Sequence, residues 1–248
     1  MKPMPGMLRP ATLLLLSCLI AACGKAETAE AAPQAAQAAQ SKPDAARALL
    51  ASLVEPRQKG AYAPKDECGT VGAAGEFRLK LADAVVKRDA AALVELAAPD
   101  VLLDFGGGEG RAELRQRLDD PHYRLWEALE HLLPLGCAVN EQGGFTMPWY
   151  FAQDYGDRDS YMLLLVRGQG VPLLAEPRTG AKVLKVIDWN MVDLQESTDE
   201  QSPFAKVDDG SGTSGYIAWD RLRALVDYRL IVEERDEGWA ISAFVAGD

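Results

Sequence analysis

Two histidines, four cysteines, an acidic loop and a glycine-rich turn are the features of this chain that could do chemistry. His122 and His131 fall on one predicted helix, nine residues apart. At about 100° per residue they face opposite sides, so that helix alone cannot bring them into one site. Asp154, Asp157 and Asp159 offer oxygen ligands of the kind calcium takes. They lack EF-hand spacing and a bidentate Glu, and a solvated loop is the simpler reading. Gly106-Gly107-Gly108-Glu109-Gly110 stands between a predicted strand and a helix, where backbone N–H groups can hold an anion. The run is neither G-x-x-x-x-G-K-[ST] nor G-x-G-x-x-G, and Glu109 puts negative charge where a phosphate would sit. Turn chemistry therefore accounts for the glycines, with Arg111 the one residue that keeps an anion in play. No catalytic constellation, metal site or cofactor motif emerges.

The elements that would position any site belong to a globular chain. It has 248 residues, 48% hydrophobic and 25% charged, a length that suits one large or two small domains. With 26 basic and 37 acidic residues the net charge is −11, which argues against a nucleic-acid partner.

The N-terminus carries an address. Lys2 and Arg9 form a positive region before the apolar stretch Ala11 to Ala22. That stretch is short of the roughly twenty residues that span a membrane and fits a secretory signal peptide over 1–22. Ile20-Ala21-Ala22-Cys23 resembles a bacterial lipobox, with Ile20 in place of the more usual Leu. The resemblance implies that Cys23 is the lipid-modified first residue of the mature chain. Gly24 follows it, not Asp, which implies the outer membrane. Several acyl chains on one Cys give stable anchoring, so the membrane is a partner through the lipid. Losing residues 1–22 removes two basic and no acidic residues and takes the charge from −11 to −13. Residues 23–45 read as a low-complexity Ala/Gln tether.

Cys18 leaves with the signal peptide, so Cys68 and Cys137 remain as an even pair in an oxidising compartment. A disulfide is the natural pairing and would close a loop of about 70 residues. The rival is a redox or catalytic thiol, for which neither an adjacent His nor a Cys-x-x-Cys is present.

Over 46–150 the pattern is helical with a short strand, an α+β region. Phe77, Leu81 and Val85 define an amphipathic face that ends near Arg88, and Asp89 fits an N-cap for the next helix. Pro99-Asp100 ends that helix, residues 101–105 read as a strand, and the glycine turn leads into a helix over 111–118. Pro121 suits the first turn of a last helix with Leu125, Leu129, Leu132 and Leu133 on its buried face and Trp126 beside them. This order resembles the opening of nuclear transport factor 2-like proteins, in which helices and a curved sheet enclose a cone-shaped pocket. The resemblance implies that a site, if present, lies in the cone, with Asp104, Arg111 and Tyr123 its first candidates.

From 160 to 222 short apolar runs alternate with turns every eight to twelve residues, the pattern of a small β barrel or sandwich. Val171-Pro172-Leu173-Leu174, the turn Pro177-Arg178-Thr179-Gly180, then Val183, Ile187 and Met191-Val192-Asp193-Leu194 follow in order. Phe204-Ala205-Lys206-Val207 and Gly215-Tyr216-Ile217 with Leu222 close the run. This resembles bacterial SH3-like domains over about 60 residues, with Phe204 where a Trp usually sits and an insert over 196–203. The resemblance implies an SH3-like barrel with an aromatic groove for peptidoglycan or protein, for which Tyr216, Trp219, Trp189 and Phe204 are the candidates. Burial in the barrel core is the competing role for each of them.

The tail, 223–248, alternates on both sides of Asp236-Glu237-Gly238 and reads as a β-hairpin. Tyr228, Leu230 and Val232 share one face, Trp239, Ile241 and Ala243 another, and Arg229 and Glu233 point outward. The hairpin either returns to the first region and supplies its sheet, leaving the barrel as an insertion, or packs on the barrel.

The expected function is that of an outer-membrane lipoprotein facing the periplasm, a non-enzymatic module that binds peptidoglycan or an envelope protein. The alternative is a small-ligand carrier or enzyme using the cone. A purely structural role in an envelope assembly is a third possibility.

Overall fold

A computed structural model describes residues 45–48, 50, 58–196 and 201–247. The signal segment 1–22, Cys23 and the tether up to residue 44 lie outside the described residues. Among those described, no helix is long and apolar enough to cross a membrane.

Helix α1 (Ala74–Lys87) buries Phe77, Leu81 and Val85, the face its spacing predicts. It ends where Arg88 turns left-handed at φ 49°. Asp89 then caps α2 (Ala90–Glu95), its Oδ1 accepting from the Ala92 N–H at 3.1 Å. Strand β1 (Ala97–Leu102) includes Pro99, earlier than the expected 101–105. A proline is tolerated there because β1 is an edge strand with one neighbour, and Pro99 and Asp100 face solvent. Helix α3 (Arg111–Asp119) follows the glycine turn. Helix α4 (Leu125–Leu132) starts four residues after Pro121, since the Asp120 carboxylate takes the His122 N–H at 2.8 Å and Arg124 adopts φ 50°. Leu125, Leu129, Leu132 and Leu133 are all buried.

Two short strands, β2 (Ala138–Val139) and β3 (Phe145–Met147), come next. Seven more follow: β4 (Leu163–Val166), β5 (Val171–Leu174), β6 (Val183–Ile187), β7 (Met191–Leu194), β8 (Phe204–Asp208), β9 (Ser214–Ala218) and β10 (Leu222–Ala224). The chain closes with β11 (Arg229–Arg235) and β12 (Gly238–Val245).

These strands make two sheets. The first has the order β1-β12-β11-β3-β2, with β1 parallel to β12 and the other pairs antiparallel. The C-terminal hairpin therefore lies inside the sheet of the helical region, and strands β4 to β10 are inserted between β3 and β11. A bulge between Ile231 and Val232 shifts the hairpin register, so Phe244, not Ala243, joins Ile241 in the core. Arg229, expected outward, is buried: the turn Trp149–Ala152 folds over that face, Phe151 stacks 4.3 Å from the guanidinium, and Nη1 donates to the Gly247 carbonyl at 2.5 Å. The helices cover the opposite face, with Phe77, Phe145 and Trp239 in contact at its centre.

The second sheet is antiparallel, in the order β10-β4-β7-β8-β9-β5-β6. It is not a closed barrel. Strand β10 pairs with β4 and leads on towards β11 in the other sheet, and β6 remains an edge. The sheet curls around Leu164, Val166, Leu173, Val192, Val207 and Ile217. Strand β4 is buried on both faces, because Leu163 and Leu165 turn the other way, into a second core with Tyr150, Trp149, Met191 and Trp189. That second core joins the two units.

Residues 58–68 run across the same seam as a strap. At one end the Lys59 N–H reaches Gln169 Oε1 at 3.1 Å and the Tyr62 N–H reaches the Trp189 carbonyl at 2.9 Å. Gly60 is required there: a Cβ would lie 2.1 Å from the Asp188 carbonyl oxygen, at φ 119°. At the other end Cys68 is disulfide-bonded to Cys137, with Cα atoms 5.8 Å apart and both residues fully buried.

Candidate functional site

On the outside of the second sheet, side chains of β8 and β9 alternate between the core and solvent. Ala205, Val207 and Ile217 point inward, with Gly215 packed bare against Leu173; Phe204 and Lys206, and opposite them Ala218 and Tyr216, point outward. The turn before β6 folds Thr179, Gly180 and Ala181 alongside. The result is an open apolar groove of about 530 Å³, with Phe204, Val171, Pro172, Leu174, Val183 and Ala218 as its principal apolar lining. Asp220 and Arg221 add charge to the same lining.

The four aromatic candidates separate. Phe204 is half-buried and lines the groove. Trp219 is 36% exposed and follows the groove residue Ala218 in the chain. Tyr216 is on the outer face of β9, paired with Lys206 and with Leu174, outside the groove lining. Trp189 is elsewhere: its ring belongs to the seam core and its indole N–H donates to Gln58 of the strap. Spacing could not distinguish Trp189 from the others, because the segment that covers it comes from far away in sequence. Arg221 was missed; its only sequence signal is its place next to Trp219-Asp220.

In the first unit the residues expected in a cone do not converge. The centre is filled by aromatic side chains, Phe145 lying 6.0 Å from Phe77 and 5.5 Å from Trp239 between ring centres. Asp104 and Tyr123 both meet Arg117, which is buried: Asp104 by an ion pair, Tyr123 with its ring 4.9 Å from the guanidinium. Arg111 points away, its Nε donating to the Ala97 carbonyl at 2.7 Å. A polar cleft of about 390 Å³ at the hairpin tip includes Arg111, Arg235 and Trp239. Both of its arginines are engaged, Arg235 by Asp100 at 2.8 Å.

Asp104 also explains the glycine turn. Its Oδ1 accepts the N–H groups of Gly106 at 2.7 Å and Gly108 at 2.9 Å, so those donors already hold a carboxylate. A Cβ on Gly108 would collide with Arg117 and Asp104. The hydrogen bond from Arg117 and that from the Gly108 N–H bring the Asp104 carboxyl down to about 2 from an ordinary 3.8. A lowered carboxyl contributes stability that is present above its unfolded value and is lost as pH falls through the folded one. Between pH 4 and pH 2 the urea midpoint of the native chain should therefore fall, and that of Asp104→Asn should fall less. Parallel curves for the two proteins would remove Asp104 from the acid response.

His122 and His131 are exposed and apart, His122 resting edge-on to Tyr123. Asp154 and Asp159 each close a turn, accepting from the Gly156 and Tyr161 N–H groups. Among the described residues, three potential metal-ligand atoms come together at Asp66, Cys68 and Cys137, where both sulfurs are taken by the disulfide. Compared with known protein families, curated proteins and solved structures, the chain matches none of them.

Proposed function

We propose that this chain is a lipid-anchored, non-enzymatic binding module of the bacterial cell envelope. In this reading Cys23 carries the lipid, the outer membrane is its site, and the folded units face the periplasm. The inserted, SH3-like unit holds an extended peptide, either a peptidoglycan stem peptide or a segment of an envelope protein. The observation that carries the reading is the groove on the second sheet: apolar side walls, the half-buried Phe204 among them, and charge supplied by Asp220 and Arg221. Grooves of this composition take apolar side chains while a few polar groups fix direction. In the first unit Phe77, Phe145 and Trp239 pack together where the cone would be.

The test is co-sedimentation of the purified chain with peptidoglycan sacculi. Because the second unit shares a core with the first, point variants are cleaner than deletion. Phe204→Ala should weaken binding about tenfold or more, the cost of truncating a central aromatic anchor. Trp219→Ala reports whether the neighbouring indole takes part. Binding that survives Phe204→Ala unchanged would put the contact outside the groove.

A further inference from the structure

The second sheet ends in β6, and this edge has no strand beyond it among the described residues. Val183, Leu184 and Val186 are 49%, 42% and 56% exposed, so three bulky apolar side chains stand in solvent within one five-residue strand. Such an edge invites another strand, and proteins normally blunt it, often with lysine. Here the strand's lysine is turned aside: Lys185 Nζ reaches to Asp209 of the β8–β9 turn, whose side chain is buried, and to Ser211 Oγ at 3.4 Å. The backbone is open as well. Pro172 stands opposite Val186 and has no N–H, so the bonds between β5 and β6 run through the flanking pairs, Val171 with Ile187 and Leu173 with Lys185. Alternation then turns the N–H and C=O of Val186 away from β5. Just past Ile187 the edge is closed, because Gly60 of the strap packs on the Asp188 carbonyl. The side chains sort by face. Val186 lies opposite Pro172 and Val183 opposite Leu174, so both belong with the groove wall. Lys182 and Lys185 fall on the other face by alternation, and the exposed Lys182 has no ion-pair partner among the described residues. From Pro177 to Ile187 the chain carries three basic and no acidic residues, against a net charge of −11 for the whole.

We infer that β6 accepts an extended segment of an envelope protein as an added strand, with apolar side chains on the groove face and acidic ones on the lysine face. Backbone bonds to Val186 hold the segment, and its alternate side chains set the register. A second copy of this chain is the poorer occupant, since pairing β6 with itself sets lysines against lysines. The inference rests on the peptide-groove reading and chooses, of its two ligands, the protein segment.

The probe is a labelled heptapeptide in which valine alternates with glutamate, titrated into the full chain and followed by fluorescence anisotropy. Saturable binding below about 1 mM is expected, and its absence overturns the inference. In the complex the Val186 amide should exchange with deuterium about tenfold more slowly than in the free chain. An amide that exchanges as fast as before overturns strand addition, whatever the variants do. Val186→Pro removes the outward N–H and leaves the bonds to β5, as prolines on edge strands do. It should weaken binding about fivefold or more, while Val186→Ile, which keeps the N–H, should bind like the native chain. Equal binding by native chain and Val186→Pro counts against the added strand. Lysine in place of glutamate in the probe should weaken binding despite the acidic chain, and tighter binding overturns the acidic partner. Self-association of the native chain that Val186→Pro abolishes would give the edge to a second copy and overturn the envelope-protein segment. Phe204-dependent binding to sacculi with an unprotected Val186 amide leaves the groove and removes the strand. A protected Val186 amide with sacculi binding that ignores Phe204 leaves the strand and removes the groove contact.

Discussion

Replacing both Cys68 and Cys137 by Ser should cost about 2–5 kcal/mol of stability, the usual range for a native disulfide in a small secreted domain. The bond closes a long loop, with a sequence separation of 69, and it fastens more than itself. The Glu67 N–H donates to the Cys137 carbonyl at 2.9 Å and the Cys137 N–H to the Lys65 carbonyl at 2.8 Å. Trp149 donates to Glu67 at 2.7 Å, and Lys65 sits 4.1 Å from its ring. Arg78 makes the consequence larger. Its side chain is 4% exposed, Nη1 is held by Asp66 at 2.7 Å, and Nε and Nη2 have no partner. If the strap loosens, Asp66 leaves with it and a buried cation loses its counter-ion, which is a costly state. Denaturant midpoints of the native and double-Ser chains measure the effect. A difference below about 1 kcal/mol would mean that the strap is held by its other contacts and that the disulfide adds little.

Local chemistry made much of this architecture readable from the sequence. The α1 face, the Asp89 cap, the leucines of α4 and the strands of the second unit follow from periodicity and turn residues, which act within a few positions. The return of the hairpin was open as one of two outcomes, and the apolar alternation of Leu230, Val232 and Ile241 is what lets it sit between β12's partner β1 and β3. What the sequence did not reveal depends on distant partners. The run YMLLLV looks like any buried strand, but only the seam explains why both faces of β4 are covered. The strap has no periodicity, and its contacts with Gln169 and Trp189 lie more than a hundred residues away. Arg221, Arg223 and Arg229 look alike in the chain. One lines the groove, one is held by Tyr150 and Asp227, and one lies under Phe151. Aromatic character picked out Phe204 and Trp189 alike, and it carried no information on which face of the fold each would occupy: Phe204 lines the groove and Trp189 sits in the seam core.

Phe145→Ala should remove about 3–5 kcal/mol, the cost of truncating a fully buried phenylalanine that its neighbours cannot replace. Phe145 is completely buried on β3, pairs with Val232 and Val139, and touches Phe77 of α1 on one side and Trp239 at the start of β12 on the other. Three elements far apart in the chain meet on this ring, so none of them can collapse into the space without moving the others. Against a typical total stability of about 5–15 kcal/mol, the loss is large. The comparison that gives it meaning is Leu173→Ala, which empties the separate core of the second unit at a cost of about 2–5 kcal/mol. The seam core of Leu163, Leu165, Met191, Trp149 and Tyr150 belongs to both units, and the strap crosses it. Either substitution should therefore lower one common unfolding midpoint, seen alike by tryptophan fluorescence and by far-ultraviolet circular dichroism. If Phe145→Ala instead splits the transition in two, the seam is weaker than the cores it joins, and the second sheet stays folded when the first has gone. In that case the groove could be carried by residues 160–224 without the helical region.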